Sequence, residues 1–236
     1  MGRIWSVCSG SGGVGKSTIA LSLAVAAAKE GHETILLDAS GDARSCDLIL
    51  GLESLISLDM IDVLSKQTGL DSALYDVPNR PHLRFACASL HDSMLSGELG
   101  GIVLALNSMC DVLVIDLPTG AADAGKGIMR HGDERIIVTR PDAASVRSCE
   151  KLMMKCRGDL AGLSLVVNRM SREKGRKAFQ YTLEAVENTL DRSALACIFE
   201  DPAIPAGERN GKSAFECDNA AKAALKNMIK TLLAGA

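Results

Sequence analysis

Between a short apolar run and a long helix-forming stretch the chain reads Gly10-Ser11-Gly12-Gly13-Val14-Gly15-Lys16-Ser17-Thr18. Its first eight residues match G-x-x-x-x-G-K-[ST] without a gap, and no other segment constrains the fold as tightly. The glycines permit backbone conformations that a side chain would forbid, so successive N–H groups can wrap an anion. The N-terminus of the following helix adds its own unpaired N–H groups. Such a loop needs a strand before it and a helix after it. Ile4 to Cys8 supplies the strand, and "STIALSLAVAAAKE" (17–30) supplies the helix, with Gly31 as its stop. Gly10, Ser11, Gly12, Gly13, Val14, Gly15 and Thr18 are therefore the expected phosphate cradle. Lys16 is expected to reach the β- and γ-phosphates and to act in catalysis, and the Ser17 hydroxyl to ligate Mg²⁺.

The rest of the chain alternates short apolar runs with helical patterns. Strands are expected at 33–38, 83–89, 111–116, 134–140, 163–169 and 194–199. Helices are expected at 55–66, 97–109, 142–156, 176–190 and 218–233. Strands separated by helices favour an α/β fold, a mostly parallel twisted sheet covered on both faces. With 236 residues and no long linker, one domain over 1–236 is expected. A Mg-nucleotide site also needs carboxylates at the C-terminal ends of neighbouring strands. Asp38 closes "ETILLD" and Asp116 closes "DVLVID", so both are expected at the metal.

Composition excludes several classes. A net charge of −3 gives the whole chain no general attraction to nucleic acid or anionic lipid. The N-terminus lacks a signal peptide's apolar core, and the longest strictly apolar run, Leu23 to Ala28, is far too short to span a bilayer. A cytoplasmic protein is expected. The eight cysteines include no C-x-x-C and the four histidines no ligand-spaced pair, which argues against zinc catalysis and for reduced, buried thiols.

Taken together, "SGSGGVGKST" (9–18), "ILLDASGDARSCDLILGLE" (35–53), "VLVIDLPTG" (112–120), "VTRPDAASVRSCEKL" (138–152), "VVNR" (166–169) and "FEDPAIPAGERNGKSAF" (199–215) resemble the MinD/ParA family of P-loop ATPases, on the MinD side. The likeness covers nearly the whole chain. It implies ATP or ADP with Mg²⁺ as cofactors, and a nucleotide-gated switch that pairs face to face, as a homodimer or with a related ATPase. It implies protein partners of a positioning system for a division site, pilus or flagellum, and a peripheral place at the inner face of the membrane. Asn168 matches the residue that reads adenine, beside Arg169, and Glu200-Asp201-Pro202 the loop packed against the base.

Two positions depart from the family pattern. Ser11 stands where the family has a signature lysine that reaches across the dimer, and Ser40 where it has a water-orienting aspartate. Asp38 then remains the acidic catalytic candidate, and Asp42 replaces the missing aspartate only if its loop shifts. The departures imply intact Mg-nucleotide binding with slow or absent unaided hydrolysis. The alternatives are a ParA-like DNA-partitioning ATPase, for which "RMSREKGRK" (169–177) supplies basic charge, a P-loop metabolic ligase and an iron–sulfur carrier. DNA binding is disfavoured by the net charge. In the last helix Ala221, Leu225, Met228, Ile229 and Leu232 share one face and Lys222, Lys226 and Lys230 another, a pattern of either a core helix or a membrane-lying one.

Overall fold

The computed structural model describes residues 2–41, 45–88, 99–120, 131–156, 162–172 and 180–234. Its strands are β1 (Arg3–Cys8), β2 (Thr34–Asp38), β3 (Tyr75–Asp76), β4 (Leu83–Cys87), β5 (Val112–Asp116), β6 (Glu134–Thr139), β7 (Leu163–Met170) and β8 (Ala194–Phe199). They form one sheet in the order β3-β4-β2-β5-β1-β6-β7-β8. Every pairing is parallel except that of β3 with β4 at the edge. Parallel strands need crossovers, and the helices that make them cover both faces of the sheet.

Alternation along the strands divides the core in two. Trp5 and Val7 of β1, Leu36 of β2, Val112 and Val114 of β5, and Val166 of β7 face the layer of α1 (Lys16–Lys29) and α8 (Ala221–Ala234). Ile4 and Cys8, Ile35 and Leu37, Leu113 and Ile115, and Leu165 and Val167 face the opposite layer. That second layer holds α3 (Met60–Leu64), α4 (Leu99–Asn107), α5 (Ala143–Lys155) and α6 (Leu183–Leu190). The central strands are apolar on both faces, which is why their sequence shows continuous runs and no alternation. In α1 even Ser22 is buried, and its hydroxyl donates to the Thr18 carbonyl. Small alanine side chains let this helix lie close against the sheet.

The helix at 55–66 is a correction: only Met60–Leu64 is helical. The Asp59 carboxylate accepts from the amides of Ile61 and Asp62, and the Asp62 carboxylate from the Asp59 amide. This reciprocal cap fixes the start at residue 60. Likewise α6 begins after Thr182, whose hydroxyl accepts from the Ala185 amide, not at 176; residues 176–179 lie outside the described ones, as do 97–98 ahead of α4 and residue 89 after β4. Four short elements were absent from the sequence expectation: β3, a 3₁₀ helix at Leu70–Ala73, α2 (Cys46–Leu50) and α7 (Ala203–Glu208). The last helix turns its apolar face to the core: Ala221, Leu225, Met228, Ile229 and Leu232 are buried, and the lysines are exposed. No described helix is long and apolar enough to cross a membrane.

Candidate functional site

β1 runs down the middle of the sheet, so the loop that leaves it opens at the C-terminal edge of the strands, between β5 and β6. This is the crevice where open α/β sheets take ligands. Gly10 is fixed by packing: a Cβ there would stand 2.2 Å from the Ser148 carbonyl oxygen of α5. Gly15, at φ +90°, is fixed twice over, because a Cβ would also stand 2.2 Å from the Asn168 amide nitrogen. The amides of Gly13 and Gly15 donate to no acceptor among the described residues. Unspent N–H groups in a backbone cup are what a phosphate chain requires.

Beneath the cup lie the charges. Parallel pairing sets Asp38 of β2 directly beside Asp116 of β5. Lys16 Nζ meets Asp116 Oδ1 at 2.5 Å, and both side chains are buried. The other oxygen, Asp116 Oδ2, is buried without a hydrogen-bond partner. Burial pushes the Asp116 carboxyl up to about 6, with Lys16 opposing and the Asp38 charge reinforcing the shift. Asp38 is held differently: its Oδ1 accepts from the Ser40 amide at 3.0 Å and the Ser40 hydroxyl at 2.6 Å. The geometry fits a Mg-nucleotide: a lysine, two strand-end carboxylates with an unspent buried oxygen, and a serine at position 17.

No signal in the residue pattern pointed to Cys46 here. Its thiol lies with the carboxylates of Asp38 and Asp116, donor atoms all within 4.8 Å of one another. Its amide donates to Asp38 Oδ2 at 3.4 Å. Burial, with Asp38 and Asp116 beside it, pushes this thiol well above the usual range. Only the fold brings α2 against the strand ends, so nothing in residue spacing could have found it. Of the other thiols expected inside, Cys8 and Cys87 are buried and Cys197 is half-buried, and no disulfide joins any of the eight cysteines.

A cavity of about 490 Å³ continues from the cup, between α1, the end of β8 and α7. Gly15, Thr18, Asn168, Arg169, Asp201 and Pro202 all line it, so three separated segments meet there. The ladder between β7 and β8 breaks between Val167 and Met170. At that irregularity Asn168 turns inward and donates from Nδ2 to the Val14 carbonyl at 2.8 Å. Arg169, at φ +56°, turns out to solvent. The Asp201 carboxylate is occupied structurally, accepting from the amides of Ala203 and Ala220. These two bonds hold its carboxyl below the usual range. Arg172 lies 5.2 Å from the centre of the Phe199 ring on the same rim.

Three further placements bear on the expected roles. The Thr18 hydroxyl donates to Glu208 Oε1 at 2.7 Å, and Glu208 itself lines the cavity, a residue sequence reasoning missed. The Ser11 hydroxyl lies 3.5 Å from that of Ser145, which in turn donates to Asp142 at the start of α5. Asp42 lies outside the described residues, as do residues 173–177 of the basic stretch.

The chain is similar to known proteins over most of its length. The profile of the CobQ/CobB/MinD/ParA nucleotide binding domain matches residues 5–214. The septum site-determining protein MinD of Synechocystis is 30% identical over 216 residues, 90% of this chain and 81% of its own length. The structure of MinD from Pyrococcus horikoshii, complexed with Mg-ADP, superposes with a TM-score of 0.84 at 26% identity, over 100% of this chain and 98% of that one. A chain of the MinC:MinD cell division protein complex of Aquifex aeolicus reaches a TM-score of 0.88 at 24% identity, over 98% of this chain and 96% of that one, a likeness of fold.

Proposed function

The chain belongs to the CobQ/CobB/MinD/ParA nucleotide-binding family and is MinD-like, and from that membership we propose that it is a Mg-ATP-dependent switch with slow hydrolysis of its own. The observation that carries this reading is the meeting of Lys16, Asp38 and Asp116 beneath the glycine cup. Lys16 would face the β- and γ-phosphates. Ser17 would hold the cation, with Asp38 and Asp116 acting through its waters. Bound Mg²⁺ supplies neutralisation of phosphate charge. Asn168, Arg169 and the Asp201-Pro202 loop would frame the base. The Mg-ADP held by the P. horikoshii relative supports the same cofactor class.

Slow hydrolysis follows from two serines. Ser11 has neither the length nor the charge of a lysine, and its hydroxyl lies beside Ser145 of its own chain. The Ser40 hydroxyl is spent on Asp38. Losing one electrostatic stabiliser of such a transition state costs about 10²- to 10³-fold in rate. The proposed role is to position cellular machinery, and the name of the Synechocystis relative favours a division site over a pilus or flagellum. Nucleotide would join two copies, or one copy and a related ATPase that supplies the lysine. The core-facing side of α8 leaves its apolar residues no part in membrane contact. The test is turnover by the purified chain. Ser11→Lys combined with Ser40→Asp should raise it at least about tenfold; fast turnover by the unmodified chain, lost in Lys16→Ala, would refute slow hydrolysis.

A further inference from the structure

We propose that Glu208 reads the sugar of the bound nucleotide. Its carboxylate accepts from the ribose hydroxyls, so the site takes a ribonucleotide in preference to one without its 2′- and 3′-hydroxyls. The inference rests on reading the cavity as a nucleotide site and adds a sugar contact to those for phosphate and base.

Position comes first. A nucleotide runs phosphate, sugar, base. The cavity of about 490 Å³ has its phosphate end at Gly15 and Thr18 and its base end at Asn168 and Asp201-Pro202. Glu208 lines the same cavity from the last residue of α7. Its Oε1 accepts from the Thr18 hydroxyl at 2.7 Å, which ties the carboxylate to the first turn of α1. The other end of α7 follows directly on Pro202 of the base loop. The wall that the sugar must pass, between cup and base loop, therefore carries this carboxylate. Its place is fixed by packing: buried Gly207 leaves no room for a side chain against Cys217. The amides of Arg209, Asn210 and Lys212 donate back to the carbonyls of Pro205 and Gly207, closing the turn that follows.

Chemistry then decides what the carboxylate meets. An ionised carboxylate only accepts hydrogen bonds. The phosphate chain offers it acceptors and like charge, so the donors left to it are the ribose hydroxyls. The other acids on the wall are placed for other work. Asp201 has one oxygen on the Ala203 amide and the other on the Ala220 amide. Glu200 stands exposed on the base loop. Glu208 is half-buried, and its Oε2 accepts from no donor among the described residues. An acidic side chain that accepts from a ribose hydroxyl is a recurring device of nucleotide sites. Here the Thr18 hydroxyl already orients the carboxylate, so less of its side-chain freedom remains to be lost on binding.

The test compares ATP with 2′,3′-dideoxy-ATP on the full chain in Mg²⁺, by calorimetry. The unmodified chain should bind ATP about tenfold or more tightly than the dideoxy compound, as loss of a hydrogen bond to a charged group requires. Glu208→Ala should bind the two within about twofold of each other. Glu208→Gln keeps a neutral acceptor in the same place and should retain a preference of about threefold. Each preference is a ratio within one protein, so a general change of affinity on removing the charge does not enter it. Equal binding by the unmodified chain, or an undiminished preference in Glu208→Ala, would overturn the proposal. If Glu208→Ala does not fold, Glu208→Gln decides: a reduced preference supports the assignment, and an unchanged one overturns it. Failure of the unmodified chain to bind either compound would sink the nucleotide reading itself, whereas equal binding of both sinks only the role of Glu208.

Discussion

The two ends of the cavity are built in opposite ways. The phosphate end is one continuous segment, Gly10 to Thr18, laid over two strand-end acids, and its key contacts are backbone and charge. The base end is assembled from β7, the loop after β8 and α7, and its polar groups are largely spent within the fold: Asn168 on Val14, and Asp201 on Ala203 and Ala220. One end waits with unspent donors, and the other is held together by its own hydrogen bonds. Affinity should therefore reside in the phosphate end and choice of base in the other.

Substitutions can break this contrast. Lys16→Ala strikes the phosphate end hardest, removing the cation proposed to face the phosphates and the Lys16 partner of Asp116. Mg-ATP affinity measured by calorimetry should fall by about 100-fold or more. Asn168→Ala acts on the base end and frees the Val14 carbonyl. Loss of about tenfold in ATP affinity is expected, with ATP and GTP then binding alike. Equal weakening for both nucleotides, with the preference kept, would remove Asn168 from base recognition.

A pH titration sharpens the phosphate end without nucleotide. The Asp116 carboxyl is raised from 3.8 to about 6 in the fold, so between those values the folded chain binds more protons than the unfolded one. Stability then falls as pH rises through that window. Urea unfolding in chelator should show this slope, and Asp116→Asn should flatten it. The smallest effect belongs to Glu208→Gln. Freed from a competing carboxylate, Thr18 can turn to phosphate, and Mg-ATP affinity should rise by about threefold in low salt.

The same contrast explains what could be read from the chain. A contiguous motif declares itself, and apolar runs ending in aspartate place Asp38 and Asp116 because strand register does the rest. The sheet and its major helices follow from the periodicity of the segments between. Local capping by Asp59 and Thr182 moved two helix starts, since a side chain that satisfies free amides outweighs weak propensity. Cys46, Glu208 and the engagement of Ser11 with Ser145 were invisible, because each depends on which helix the fold sets against the loop. Asn168 stands between: its place at the base end followed from family likeness, and its grip on Val14 from the irregularity in β7 alone.

The most direct measurement is an equilibrium titration of the chain with a fluorescent ATP analogue in Mg²⁺, competed by ATP, ADP and adenosine. The expected result is saturable binding at one site per chain, displaced by ATP and ADP, barely by adenosine, and lost in Lys16→Ala. Absence of saturable binding, or displacement by adenosine as effective as by ATP, would contradict a site whose hold on the nucleotide lies in residues 10–18.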